Sequence, residues 1–165
     1  MCILCDIYFT DGLIGAEIGV LLGDHARQMV KDIPIKELYL IDSWEGEGNK
    51  HYEHVKTTFA GDERIKIIKK KSTDAVQDFP DEYFDFVYID ANHEYFYVKA
   101  DINAWYPKVK KGGMLLGDDI ECQSLGDKET VIHAVRDSFK NFIITGPSWL
   151  VIKDKENHCN RRGFD

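Results

Sequence analysis

The feature that most constrains this chain is an alternation. Short apolar runs, each bounded by Asp, Gly or Lys, are separated by longer amphipathic stretches. The runs fall at residues 13–18, 37–41, 65–68, 84–89 and 114–116 and are rich in Ile, Val, Leu and aromatics. Runs this short and this uniformly apolar suit strands buried on both faces, as in a parallel sheet. The stretches between them, residues 24–32, 52–59, 73–78 and 95–105, read as helices. In the last, Val98, Ile102 and Trp105 recur at i, i+4 and i+7 as a buried stripe, with Lys99, Asp101 and Asn103 facing outward. Strand and helix in repeated succession predict right-handed βαβ units and a doubly wound α/β fold. A further helix is expected over 129–139. Two last strands, 141–145 and 149–152, are separated only by Gly146-Pro147-Ser148, a link that permits only an antiparallel pair. The expectation is therefore a mostly parallel seven-stranded sheet with one reversed strand near its C-terminal edge. One domain over residues 1–153 and a charged tail over 154–165 account for the whole length.

Composition narrows the function classes. The chain has 165 residues, 44% of them apolar and 12% aromatic, enough for a core without a disulfide scaffold. Its 21 basic and 29 acidic residues give a net charge of −8, which disfavours an electrostatic grip on nucleic acid or an anionic membrane. A cationic small molecule is drawn in instead. Cys2 and Cys5 form a C-x-x-C with no second half, and Cys122 and Cys159 stand alone. The four thiols read as reduced and inert. The start, residues 1–9, lacks the basic segment of a signal peptide, and no stretch reaches the ~20 apolar residues of a membrane span. A cytoplasmic protein is expected.

In a doubly wound sheet, ligands bind beyond the carboxyl ends of the strands. Glu17-Ile18-Gly19, Asp42-Ser43-Trp44, Lys71-Ser72-Thr73, Asp90-Ala91-Asn92-His93 and Asp118-Asp119 follow the five runs in turn. The first turn, GAEIGVLLG over residues 15–23, is glycine-rich but lacks the G-x-G-x-x-G that brings a pyrophosphate onto a helix N-terminus. Glu17 would set a carboxylate against that anion. The same carboxylate suits a ligand with an ammonium and no phosphate, such as S-adenosylmethionine. Asp42 then falls where the ribose hydroxyls would be, and Trp44 where a ring could stack on adenine.

These segments, with LYLIDSWEG over 38–46 and the long run FVYIDANHEYFYVKADINAWYPKVKKGGMLLGDDI over 86–120, carry a family resemblance. The chain resembles class I S-adenosylmethionine-dependent methyltransferases, especially the small sugar and macrolide O-methyltransferases, from about residue 13 to 153. The resemblance implies that Glu17 and Gly19 line the methionine end of the cofactor, Asp42 the ribose, and Trp44 and Lys71-Ser72 the adenine, with Ser43 and Asp90 also in the binding site. It extends to metal-dependent catechol-type O-methyltransferases, which implies that Asp90, Asp118 and Asp119 bind a divalent cation. Oxygen donors of this kind select magnesium over zinc. Such an ion would lower the pKa of a substrate hydroxyl and align it with the methyl donor. His93 stands three residues beyond Asp90, where the catechol-type relatives carry a lysine base. It is the candidate proton acceptor, paired with Asp90, and the alternative is a structural histidine.

The leading expectation is metal-assisted O-methylation of a hydroxylated small molecule, a sugar or a catechol. A cofactor-binding module without turnover is the alternative, and a nicotinamide-dependent oxidoreductase a third. Covering helices of the kind usual in this family are not expected ahead of the first strand, so a lid is expected from residues 45–51, from 121–127 or from a homodimer partner. No role is expected for His25, His51, His54, His133 or His158. Of Tyr95-Phe96-Tyr97, one or two rings are expected in the core.

Overall fold

The computed structural model describes residues 12–121 and 130–154. Seven strands form one sheet: β1 Leu13–Ile18, β2 Ile35–Asp42, β3 Ile65–Lys69, β4 Phe84–Ile89, β5 Val109–Gly117, β6 Ile143–Thr145 and β7 Ser148–Ile152. Their order is β3-β2-β1-β4-β5-β7-β6. The first five pair in parallel. Only β7 is reversed, lying antiparallel to both β5 and β6. The doubly wound sheet read from the alternation is the observed one.

Among the described residues, five α-helices accompany the sheet: α1 Asp24–Asp32, α2 Asn49–Thr58, α3 Ser72–Ala75, α4 Tyr95–Trp105 and α5 Val131–Ser138. Successive strand residues point to opposite faces, and each face has its own core. One joins Ala16, Ile18, Val87, Ile89 and Leu115 to α4 and α5 through Val98, Ile102, Trp105 and Val135. The other joins Leu38, Leu40, Phe86, Met114 and Leu116 to α1 and α2 through Ala26, Met29 and Val55. Burial on both faces is why the central strands read as unbroken apolar runs. Among the described residues, no helix is long and apolar enough to cross a membrane.

Two expectations need correction. β5 begins five residues before its apolar run. Its first half is polar because ionic and backbone partners hold it there: Lys110 pairs with Asp85 at 2.7 Å, and Gly112 and Gly113 exchange backbone hydrogen bonds with Lys153. In α4, Asp101 does not face outward. It is 5% exposed, on the buried side with Val98, Ile102 and Trp105. The cysteine pair near the start, the loop over 122–127 and the tail beyond 154 lie outside the described residues.

The close approach of β1 to β4 offers a test of the packing. Gly15 is paired with Phe86, and a Cβ at Gly15 would lie 2.1 Å from the Phe86 ring. Gly15→Ala should therefore cost about 1–3 kcal/mol through overpacking, read as a lowered urea midpoint. An unchanged midpoint would contradict this packing.

Candidate functional site

The carboxyl ends of β1 to β4 open onto a cleft of about 940 Å³, which Asp101 of α4 also lines. The end of β1 is tied there to both β2 and β4. The Gly19 N–H donates to the Ile41 carbonyl at 2.9 Å, and the Asp90 N–H to the Ile18 carbonyl at 2.8 Å. Gly19 holds φ +86°, and a Cβ there would meet the Asp90 carbonyl oxygen at 2.2 Å. Only glycine fits this place.

The turn beyond Gly19 is organised by Asp42, at the end of β2. Its Oδ2 accepts the Val20 and Leu21 N–H groups at 2.9 and 3.0 Å, and its Oδ1 accepts the Trp44 N–H at 2.8 Å. A carboxylate has about four acceptor positions, so roughly one remains for a ligand hydroxyl. Leu21 sits at φ +51°, a left-handed conformation that a branched side chain adopts at a cost. Asp42 holds its amide, and the Trp44 indole N–H donates to its carbonyl at 3.0 Å. Trp44 itself is 3% exposed and its ring packs at 5.1 Å from Tyr52. That corrects the stacking role expected for Trp44: its ring lies in the core and pins the turn, and its face is not available to a base in the cleft.

Glu17 is 1% exposed. Its Oε1 contacts His25 Nδ1 at 3.0 Å, while its Oε2 is buried with no hydrogen-bond partner among the described residues. Burial pushes the Glu17 carboxyl above its ordinary range, opposed by the hydrogen bond and charge of His25. Burial works against a charged His25 ring too, but the hydrogen bond and charge of Glu17 prevail and hold that imidazole above its usual pKa. The ring centroids of His25 and Tyr88 are 4.2 Å apart. Sequence reasoning gave His25 no role. The signal available was its place in the first turn of α1, directly after the glycine-rich segment.

Three ligand-type side chains converge at the end of β4. His93 Nε2 lies 3.3 Å from Asp90 Oδ1, and His93 Nδ1 lies 3.0 Å from Asp119 Oδ2. One potential ligand atom from each residue falls within 4.8 Å of the others. Burial pushes the Asp90 carboxyl up, opposed by its hydrogen bond to His93. Asp118, expected as the middle ligand, is not in this trio. Its Oδ1 accepts the Ser148 hydroxyl of β7 at 3.1 Å. Asp119 has φ +55°, and its side chain closes on His93 from the turn that follows β5. The two carboxylates and the imidazole set hard oxygen donors beside a nitrogen donor. A hard divalent ion satisfies both carboxylates at once.

At the β3 end, the Trp105 indole N–H donates to Ser72 Oγ at 2.7 Å, and the Ser72 hydroxyl donates to Asp101 Oδ1. Burial raises the Asp101 carboxyl to about 6, opposed by the Ser72 hydrogen bond. Lys71 Nζ pairs with Glu45 at 3.3 Å, with both side chains exposed. Ser43, Lys71 and Ser72 line the cleft as expected. Tyr95 packs on the core, whereas Phe96 and Tyr97 are 76% and 56% exposed.

Asp101 supplies a pH test. Its folded pKa lies above that of an unfolded Asp, so the folded state binds the extra proton and stability falls as pH rises between about 4 and 6. Asp101→Asn should thus raise the unfolding free energy by about 1–3 kcal/mol at pH 8, a gain that fades below pH 4. Urea unfolding at the two pH values checks it; equal effects at both would contradict the burial of this charge.

The comparisons with known proteins agree with this geometry. A family model described as a methyltransferase domain matches residues 16–120. An uncharacterized protein of Acanthamoeba polyphaga mimivirus is 30% identical over 125 residues, 72% of this chain and 56% of its own length. An uncharacterized protein of Sinorhizobium fredii is 29% identical over 97 residues, 54% of this chain and 11% of its own. The chain thus spans little more than half of one curated relative and about a tenth of the other. Among solved structures, a Corynebacterium glutamicum protein superposes with TM-score 0.66 at 17% identity, covering 90% of this chain and 75% of that one. MycE methyltransferase from the mycinamycin biosynthetic pathway, solved with Mg, SAH and mycinamycin VI, gives 0.62 at 18%, covering 94% and 47%. The N-methyltransferase NodS from Bradyrhizobium japonicum gives 0.58 at 16%, covering 84% of each chain. At these identities the structural likeness is one of fold.

Proposed function

The chain belongs to the methyltransferase-domain family, and we propose that it transfers the methyl group of S-adenosylmethionine to a hydroxyl oxygen of a small molecule, a sugar or a catechol, beside a bound magnesium ion. The observation that carries the reading is the bare, buried Oε2 of Glu17 at the end of β1. A buried carboxylate oxygen without a donor is unfavourable, and an ammonium relieves it where a pyrophosphate would aggravate it. Mg and SAH in the MycE structure, a neighbour in fold, favour the same pairing of cofactor and ion.

When bound, the donor supplies a methyl carbon on a positively charged sulfur, and the ion a Lewis acid that acidifies the acceptor hydroxyl. Glu17 holds the amino end of the donor, and the remaining acceptor position of Asp42 takes a ribose hydroxyl. Asp90 and Asp119 are the anionic ligands for the ion; their oxygen donors fit a hard cation. His93 accepts the hydroxyl proton on Nε2 and keeps its Nδ1–H on Asp119 Oδ2. That contact, at 3.0 Å, is the shorter of its two and fixes the ring for proton transfer. Asp119 is then a positioning residue as well as a ligand. Exposed Leu21, Leu22 and Tyr97 at the cleft give the acceptor an apolar wall.

Methyl transfer to a panel of sugars and catechols, with magnesium and with a chelator, tests this directly. Transfer is expected only with the metal. His93→Ala should lower the rate about 10²- to 10⁴-fold while leaving affinity for S-adenosylhomocysteine within a few-fold. Unchanged turnover in that variant would remove the base, and turnover indifferent to chelator would remove the metal.

A further inference from the structure

Asp118 and Asp119 are adjacent in the turn after β5, yet their side chains go to different partners. Asp119 closes on His93, and Asp118 Oδ1 accepts the Ser148 hydroxyl of β7 at 3.1 Å. Ser148 is also hydrogen-bonded to the buried Tyr88 phenol of β4. A carboxylate only accepts and Ser148 has one proton, so that proton goes to Asp118. Burial raises the pKa of the phenol, so Tyr88 keeps its own proton and donates it to Ser148 Oγ. The chain of bonds runs one way, from Tyr88 to Ser148 to Asp118. The backbone around it is pinned. The Asp118 N–H donates to the Ile89 carbonyl at 3.2 Å, and the Ile120 N–H to the Pro147 carbonyl at 2.8 Å. A change of partner for Asp118 therefore falls to its side chain and not to the turn.

The other partner open to that side chain is close by. Among the charges that push the Asp90 carboxyl up, Asp118 counts for more than Asp119. Its carboxylate thus stands beside the trio of Asp90, His93 and Asp119 without being part of it. A hard divalent ion takes about six oxygen ligands, more than two aspartates supply, so a third carboxylate beside it is drawn in. We infer that Ser148 is a positioning residue that sets the affinity of the ion site: its hydroxyl holds Asp118 on β7, and the ion and that hydroxyl compete for one carboxylate. The inference rests on the proposed ion at the trio. Ser148 does not itself line the cleft, so it acts through Asp118 and not on a ligand directly. Tyr88 strengthens its hold, because a hydroxyl that accepts a hydrogen bond donates a better one.

Titration with manganese(II), an ion that carboxylates suit, tests the inference by its electron paramagnetic resonance signal and without any substrate. Ser148→Ala releases Asp118 and should tighten manganese binding about tenfold, the weight of a hydrogen bond to a charged group. Ser148→Thr restores the hydroxyl and should return the affinity to that of the unmodified protein. In an Asp118→Asn background, Ser148→Ala should change nothing, because the carboxylate it would release is gone. A merely structural role for Ser148 would act in both backgrounds. An unchanged or weakened affinity in Ser148→Ala, the same gain in Ser148→Thr, or the same gain without Asp118 would overturn the inference and leave the ion reading standing. Manganese binding in none of the proteins would overturn both. Should Asp118→Asn fail to fold, Ser148→Ala against Ser148→Thr decides alone.

Discussion

A carboxylate buried at the end of the first strand is the constraint on which the proposed ligand of this cleft depends. Glu17 gives one oxygen to His25 and leaves the other bare, in a place where water does not compensate it. Burial favours protonation of Glu17 and the hydrogen bond and charge of His25 oppose it, while Glu17 in turn holds the His25 imidazole up. The chemistry proposed for the site follows from the bare oxygen. A ligand with a positive head group completes the pair, and one with phosphates opposes it.

Around this group the chain accepts backbone strain. Four non-glycine residues have positive φ among the described residues, and three of them, Leu21, Trp44 and Asp119, lie at the carboxyl edge of the sheet. Each is held by specific contacts. Asp42 takes the amides of Leu21 and Trp44, Trp44 takes the carbonyl of Leu21, and His93 takes the side chain of Asp119. Strain of this kind persists where surrounding contacts over-determine it, and it marks the turns that shape a site. Asp42 therefore serves the architecture of the turn before it meets any ligand.

The sheet was legible because two-faced burial writes itself as apolar runs. β1, α1, β4 and α4 have the same ends in sequence and structure. The start of β5 was not legible, since its partners are the charges and backbone of Asp85 and Lys153 rather than a core. In the site, the strand-end positions of Glu17, Asp42, Ser72 and Asp90 followed from topology. The orientations of their neighbours did not. Trp44 turns into the core because its indole finds the Leu21 carbonyl. Asp118 turns to Ser148, a residue 30 positions away, leaving His93 to complete the trio. Asp101 reads as a solvent-facing charge in a helical pattern, and only the three-dimensional meeting with Ser72 explains its burial. Periodicity shows which face a residue occupies, not which hydrogen bond its side chain makes.

The most direct measurement is a crystal structure of the protein with S-adenosylhomocysteine. The account predicts the amino nitrogen of that ligand within about 3 Å of Glu17 Oε2, the oxygen that lacks a partner here. A complex in which that nitrogen lies elsewhere and Oε2 stays bare would contradict it.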